Sequence, residues 1–253
     1  MTLPSREIII GSPYGGLGDN IQLSTLPELF TNAGYDVYIW DQTYFRNVGI
    51  KELVWGSNPF IKGEKSGTCN AGDTPGRHRV VHPNPISNWE VLHGFNPTNL
   101  LPKVYYTPQS IKNLENTFLV DLSSISSTYD LESVRNTCKN LSENFPGKRF
   151  CHVQFRQDLN PTSDQAPAQN GIFHNLEIGI ENVITIDNIF QYCDTISSSY
   201  GLITLHSGAS HLSSALKEFN PDLLSFCIVE REKYNFWKQK SLHLYDNIQY
   251  III

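Results

Sequence analysis

Two short stretches of this chain hold residue types that could do chemistry. The first is Gly15-Gly16-Leu17-Gly18-Asp19-Asn20. Small residues in a turn let backbone N–H groups approach an anionic ligand, and a helix starting there adds its positive end. Asp19 is unexpected in a loop that only cradles phosphate. It asks for another explanation, such as capping the following helix. The second stretch is His206-Ser207-Gly208-Ala209-Ser210-His211. Its glycine permits close approach of backbone, and its hydroxyls with a helix N-terminus can hold phosphate oxygens.

Both stretches need a strand before them and a helix after them. Ahead of the first, Glu7-Ile8-Ile9-Ile10 carries the β-branched run of a buried parallel strand. Behind it, Ile21, Leu23, Leu26, Leu29, Phe30 and Ala33 recur at helical spacing, with Pro27 predicting a kink or a helix that begins just before it. Tyr35–Trp40 then reads as a second strand, completing a β-α-β unit with a right-handed crossover. The second stretch lies between strand-like Gly201–Leu205 and a helix expected over His211–Phe219.

Elsewhere, residues 56–85 read mostly as loop with one short strand near Arg79–Val81. Ser87-Asn88-Trp89-Glu90 has the form of a capping box and predicts a helix over Ser87–His93. On that helix Glu90 and His93 are one turn apart, as on a solvated face or one that touches a sugar. Lys103–Tyr106 is expected as a strand. Further strands are expected at 117–122, 150–155, 183–186 and 223–229, with helices at 131–143 and 189–196. The final Tyr250–Ile253 should be a docked strand or buried tail.

Strands alternate with helices in both halves, so the fold expected is α/β, with two Rossmann-like lobes whose parallel sheets face a central cleft. The lobes are expected at 1–112 and 113–253. Asp41 closes the second strand, where a dinucleotide-binding protein places its ribose-binding acid. The glycine pattern does not agree, since Ile21 stands where the third glycine of GxGxxG belongs.

Composition narrows the partners. The 253 residues carry a formal net charge of −6, with 40% hydrophobic and 17% charged residues. That is an ordinary globular balance, and the negative charge disfavours non-specific nucleic-acid binding. No apolar run is long enough to span a bilayer, and no secretory leader is evident. Five cysteines without a CxxC pair suit reduced thiols in a cytoplasm. The expected ligand is small.

The two stretches also resemble a known family. Gly15-Gly16-Leu17-Gly18-Asp19 and the Leu-rich helix after it are similar to the opening of the ADP-heptose heptosyltransferases, glycosyltransferase family 9, which have the two-lobed GT-B fold. Ser207-Gly208-Ala209-Ser210-His211-Leu212, with Ser213-Ser214-Ala215-Leu216, resembles that family's Asp-(Ser/Thr)-Gly-x-x-His-Leu-x-x-Ala-Leu stretch at the donor site. The resemblance covers about residues 8–62 and 183–216.

It implies an inverting, metal-independent transfer of a sugar from a nucleoside-diphosphate donor to a hydroxyl acceptor, such as a glycan, a lipid-linked saccharide or a small molecule. Asp19 would be the general base. Gly16, Leu17, Gly18 and Asn20 would contact the transferred group, and His206, Ser207, Gly208, Ser210 and His211 would hold the donor. No metal or other cofactor is expected, and the chain shows no convincing His/Asp/Glu ligand cluster.

The sequence departs from the family where His206 replaces its aspartate. It departs again where Ser123–Ser127 replaces a basic residue after the first strand of the second lobe. Arg156 could supply that charge. His152-Val153-Gln154-Phe155-Arg156-Gln157-Asp158 loosely resembles the His-x-Arg-x-Gly-Asp segment of GDP-fucose fucosyltransferases, whose Gly-Gly-Leu-Gly-Asn-Gln loop has Asn where Asp19 stands. The departures keep open a non-catalytic nucleotide or glycan binder of the same fold, and the β-α-β unit with Asp41 keeps open an NAD-dependent oxidoreductase.

Overall fold

A computed structural model describes residues 6–12, 14–46, 48–73, 79–123, 129–155 and 182–253. The chain divides into two compact units, one of residues 1–107 with Trp237–Tyr245, the other of residues 108–236 with 246–253.

The first unit is built on a four-stranded, all-parallel sheet. Its strands are β1 (Arg6–Gly11), β2 (Tyr35–Trp40), β3 (Ile61–Lys65) and β4 (Ala71–Gly72), in spatial order β3-β2-β1-β4. Ile10 and Val37 are completely buried, and each such side chain contributes about 1.5–3 kcal/mol through removal from water. The apolar pattern after β1 is two helices, α1 (Leu17–Ile21) and α2 (Leu26–Asn32). Pro27 sits in the first turn of α2, where its missing N–H costs nothing. A helix α3 (Val48–Lys51) runs into a π-helical turn, Glu52–Gly56, that buries Leu53, Val54 and Trp55.

Several sequence expectations fail here for one reason: side chains take up backbone hydrogen bonds that strands would have used. Residues 79–81 form no strand, because the N–H groups of Val81 and His82 both donate to Asn88 Oδ1, at 2.7 and 3.0 Å. Lys103–Tyr106 forms no strand, and the Lys103 N–H donates to Ser24 Oγ at 3.0 Å. Among the described residues between 56 and 85 the strands are β3, polar because it is an exposed edge, and the two-residue β4. Helix α4 (Pro85–Leu92) starts earlier than Ser87, capped by Asn84 Oδ1, which accepts from Ile86 and Ser87 N–H.

Glu90 on α4 is neither solvated nor free to meet a sugar. It is completely buried, and its carboxylate accepts hydrogen bonds from Thr25 Oγ1, Thr98 N and Oγ1, and Asn99 N and Nδ2. His93 accepts from Gly72 N–H at 2.9 Å through Nε2, and its Nδ1 lies 2.7 Å from the Trp89 carbonyl. Both residues hold loops in place.

The second unit contains a six-stranded, all-parallel sheet: β5 (Thr117–Asp121), β6 (Arg149–Phe155), β7 (Asn182–Ile186), β8 (Gly201–Leu205), β9 (Leu224–Val229) and β10 (Gln249–Ile252). Their order is β10-β9-β8-β5-β6-β7, which is the doubly wound 3-2-1-4-5-6 order of dinucleotide-binding folds. Helices α5 (Leu131–Asn144), α6 (Ile189–Ser198) and α7 (Gly208–Leu216) connect strands within it. A core of Phe118, Val120, Val134, Ile203, Leu205 and Ile228 lies within this unit, and Phe118 stacks on Phe150 at 5.1 Å. The C-terminal run is a docked strand, β10, paired with β9 from Gln249↔Phe226 to Ile252↔Val229. Helix α8 (Arg231–Lys240) has no sequence counterpart above, because it buries no residue and carries no apolar stripe to read.

Candidate functional site

In an open parallel sheet, ligands bind beyond the carboxyl ends of the strands where the order reverses. In the first unit that point lies between β1 and β4, and in the second between β5 and β8.

At the first switch point β1 ends at Gly11, and the chain turns through Tyr14–Gly16 into α1. Asp19 lies in the first turn of α1, and its Oδ2 accepts from the Gly16 N–H at 3.1 Å, so the carboxylate is fastened to the turn that carries it. A Cβ on Gly16 would stand 2.5 Å from that Oδ2, so a larger residue there would displace the carboxylate. Asn20 is completely buried. Its Nδ2 donates to Gly16 O at 2.9 Å, and its Oδ1 accepts from Trp55 Nε1 at 2.9 Å. The side chain of Asn20 is therefore spent bracing the turn. Gly18 is buried too, whereas Leu17 and Asp19 keep part of their surface open.

Ionisable groups from three other segments surround Asp19. Arg46 comes from the loop after β2, and its Nη1 would lie 3.6 Å from a Cβ on Gly16. The same loop is tied to the turn by Arg46 N–H donating to Gly15 O at 3.0 Å. His243 Nε2 lies 3.9 Å from Asp19 Oδ1. Asp73 follows β4, which pairs with β1 through Ile10↔Ala71 and Gly11↔Gly72, and its N–H donates to Gly11 O at 3.0 Å. Gly72 must be glycine for this approach, since it has φ +91 and a Cβ there would fall 2.2 Å from Gly11 O.

Burial raises the Asp19 pKa above its ordinary value, with the Arg46 charge and the Gly16 N–H pulling the other way. Burial, with the Asp19 charge adding to it, pushes the Asp73 carboxyl up to about 6. A half-buried carboxylate with a raised pKa is a better proton acceptor than a solvated one.

The sequence reading missed Asp73, Arg46 and His243. A faint signal existed for the first, because Gly72-Asp73 repeats the Gly18-Asp19 pair. Nothing marked the other two.

At the second switch point β8 delivers Ser207 as the cap of α7, its Oγ accepting from Ala209 N–H at 3.3 Å. The helix therefore starts three residues earlier than expected. The His206 N–H donates to Ile228 O at 3.0 Å and also faces Tyr129 Oη at 3.2 Å. His206, Ser210 and His211 are all buried.

Ser210 Oγ donates to Ser207 O at 2.8 Å, and His211 Nδ1 lies 2.9 Å from the same carbonyl. Burial, with His206 adding to it, pushes the His211 pKa down to about 3. Expected as phosphate holders, Ser210 and His211 are interior groups, and a neutral imidazole brings no charge to a phosphate. Ser207 and Gly208 remain partly exposed at the head of the nine-residue helix.

Across the switch, Asp121 ends β5. Its carboxylate accepts from Ser123 N–H and Oγ and from Tyr192 Oη. Residues 124–127 of the serine-rich turn and Arg156 lie outside the described residues. Among the described residues no group of three or more His, Cys, Asp or Glu could hold a metal ion. Nor, among them, is any helix long and apolar enough to cross a membrane.

Two parallel-sheet α/β units with these switch points define the GT-B-like fold of the glycosyltransferases. No family model and no curated protein matches the chain, but solved structures match it at full length and low identity. It is similar to a glycosyltransferase family 9 protein from Veillonella parvula DSM 2008, with TM-score 0.60, 10% identity, and coverage of 100% of this chain and 87% of that one. It is similar to the Escherichia coli ADP-heptose LPS heptosyltransferase II, with TM-score 0.56, 11% identity, and coverage of 98% and 90%.

A third is TibC, an iron-containing dodecameric heptosyltransferase from enterotoxigenic E. coli H10407. Its complex with ADP-D-beta-D-heptose gives TM-score 0.57 and 14% identity, covering 99% of this chain and 63% of that one. The expected fold class, two parallel-sheet α/β lobes of GT-B-like type, therefore stands.

Proposed function

We propose that this protein is a glycosyltransferase that moves a sugar from a nucleoside-diphosphate donor to a hydroxyl acceptor, with inversion and with Asp19 as general base. The observation that carries the reading is Asp19 itself, a partly open carboxylate at a sheet switch point, fastened by its own turn and raised in pKa by burial. As the acceptor oxygen attacks the anomeric carbon, its proton passes to the Asp19 carboxylate, and the bond from that carbon to the diphosphate oxygen breaks. Leu17, beside the base, and the backbone of Gly16 and Gly18 would contact the transferred group.

The head of α7 suits the diphosphate, through the Ser207 hydroxyl and the backbone at Gly208. Arg156 is proposed as a further diphosphate contact, on sequence grounds alone. Among the similar structures, TibC is in complex with ADP-D-beta-D-heptose and the E. coli heptosyltransferase WaaC is with ADP, which supports trying adenine nucleotides first. A cytoplasmic location belongs to the same reading, supported by five cysteines that are all thiols.

A thermal-shift panel of ADP-, GDP-, UDP- and CDP-sugars tests donor binding, because a ligand of the native state raises the melting temperature. Release of nucleoside diphosphate by the wild type, lost in Asp19→Asn, supports the reading, and unchanged release in that variant overturns it.

A second reading, a nucleotide or glycan binder without turnover, draws on the second loop, where His211 is uncharged and no Lys or Arg occurs between His206 and Leu212. Binding in the panel with no release above background would favour it. The NAD-dependent alternative weakens further, because Ile21, in the third-glycine position, is completely buried core.

A further inference from the structure

We propose that His243 is a positioning residue for Asp19, an imidazole brought from near the end of the chain to orient and electrostatically tune that carboxylate. The inference rests on the reading of Asp19 as the base.

Three observations support it. First, the segment Trp237–Tyr245 belongs to the first unit, although more than 120 residues separate it from Thr107. It sets His243 Nε2 at 3.9 Å from Asp19 Oδ1, within the range where opposite charges shift each other's titration. Second, His243 is held firmly. It is buried, its N–H donates to Gln22 Oε1 at 3.2 Å, and its ring meets Trp237 edge-on at 4.5 Å between centroids.

Third, His243 adopts φ +59, a left-handed conformation that costs energy in a residue with a Cβ and survives only where surrounding contacts enforce it. A histidine kept under strain, buried, and beside a partly open carboxylate is an expensive way to fill space.

The charged and titratable groups facing Asp19 come from every segment around it: Arg46 after β2, Asp73 after β4, and His243 from the return segment. Tyr44 packs against Gly15 in the same turn. Arg46 and a protonated His243 favour the carboxylate, whereas Asp73 opposes it. His243 differs from Arg46 in that an imidazole can gain or lose its charge, whereas a guanidinium keeps it. Protonation of its ring strengthens the hold on Asp19 and lowers its basicity. Loss of that proton leaves Asp19 more ready to accept one.

The test uses the full chain, isotopically labelled, without substrate. The Asp19 carboxyl carbon and the His243 ring are followed by NMR through a pH titration in wild type, His243→Asn and Asp19→Asn. Asparagine tolerates the left-handed backbone and keeps the N–H for Gln22.

The Asp19 midpoint should rise by about 1 pH unit in His243→Asn, and the His243 midpoint should fall by about as much in Asp19→Asn, because pairwise coupling is reciprocal. A packing role would move neither. Midpoints unchanged within error in both variants overturn the inference. Should His243→Asn fail to fold, the His243 midpoint in Asp19→Asn decides alone. The base reading fails separately, by retained sugar transfer in Asp19→Asn, which leaves the measured coupling intact.

Discussion

The two strand-to-helix turns each flank a switch point, one after the first strand of its sheet and one after the fourth, and they use their residues in opposite ways. In the first, Gly16 and Asn20 are consumed so that Asp19 can stand partly open among Arg46, Asp73 and His243. In the second, Ser210 and His211 are turned inward onto the Ser207 carbonyl, and only Ser207 and Gly208 keep open surface. A turn that holds an ionisable side chain at its edge is equipped to move a proton. One that hides its side chains and offers a helix end is equipped to bind through its backbone.

The harshest trial of that contrast is Asp19→Asn. Transfer should fall by about 10²–10⁴-fold, the usual contribution of a general base, while donor affinity measured by calorimetry stays within about twofold. A comparable loss of affinity would mean that the first turn also binds. Gly16→Ala comes next. Its backbone, φ −72 and ψ 155, is open to alanine, but the new Cβ, 2.5 Å from Oδ2, must displace the Asp19 carboxylate. Transfer should drop about 10–100-fold with the melting temperature nearly unchanged.

Ser207→Ala strikes the second turn. Loss of the α7 cap should cost about 1 kcal/mol in a melting experiment. Donor affinity should weaken, with turnover of bound donor little altered. An intact affinity would remove the Ser207 hydroxyl from the donor site.

Asp73→Asn gives the smallest effect and the most specific sign. With its pKa raised from 3.8 to about 6, Asp73 binds more protons in the folded state than in the unfolded state between those values. It therefore costs stability as pH rises through that window, and the cost persists above it. The asparagine variant should be more stable than wild type at pH 7, by about 1 kcal/mol or less after solvent screening. The gap should vanish below about pH 4. A variant less stable at pH 7 would show that the carboxylate is doing structural service.

What could be read without coordinates follows from the range of the interaction that encodes it. Ile8–Ile10, the helical recurrence from Ile21 to Phe30 and Pro27 are local patterns, and they yielded β1, α1 and α2, as Gly201–Leu205 yielded β8. Both turns were legible because glycine, serine and aspartate carry local conformational meaning. The surroundings of Asp19 were not, because Arg46, Asp73 and His243 are brought to it by chain pairing across 27 to 224 residues. Glu90 misled for the same reason: beside His93 it looks like a helix surface, and only Thr98 and Asn99 reveal a buried anchor.

The return of Trp237–Tyr245 to the first unit has a consequence in time. A ribosome adding about 5–20 residues per second takes on the order of ten to thirty seconds to pass from Thr107 to Tyr245. Throughout that interval the nascent first unit has its glycine turn and its Asp19, but neither His243 nor the N–H that His243 donates to Gln22 Oε1. The Asp19 carboxylate gains its imidazole neighbour only after strands β5 to β9 of the second sheet have been made, so the first unit completes its contacts late.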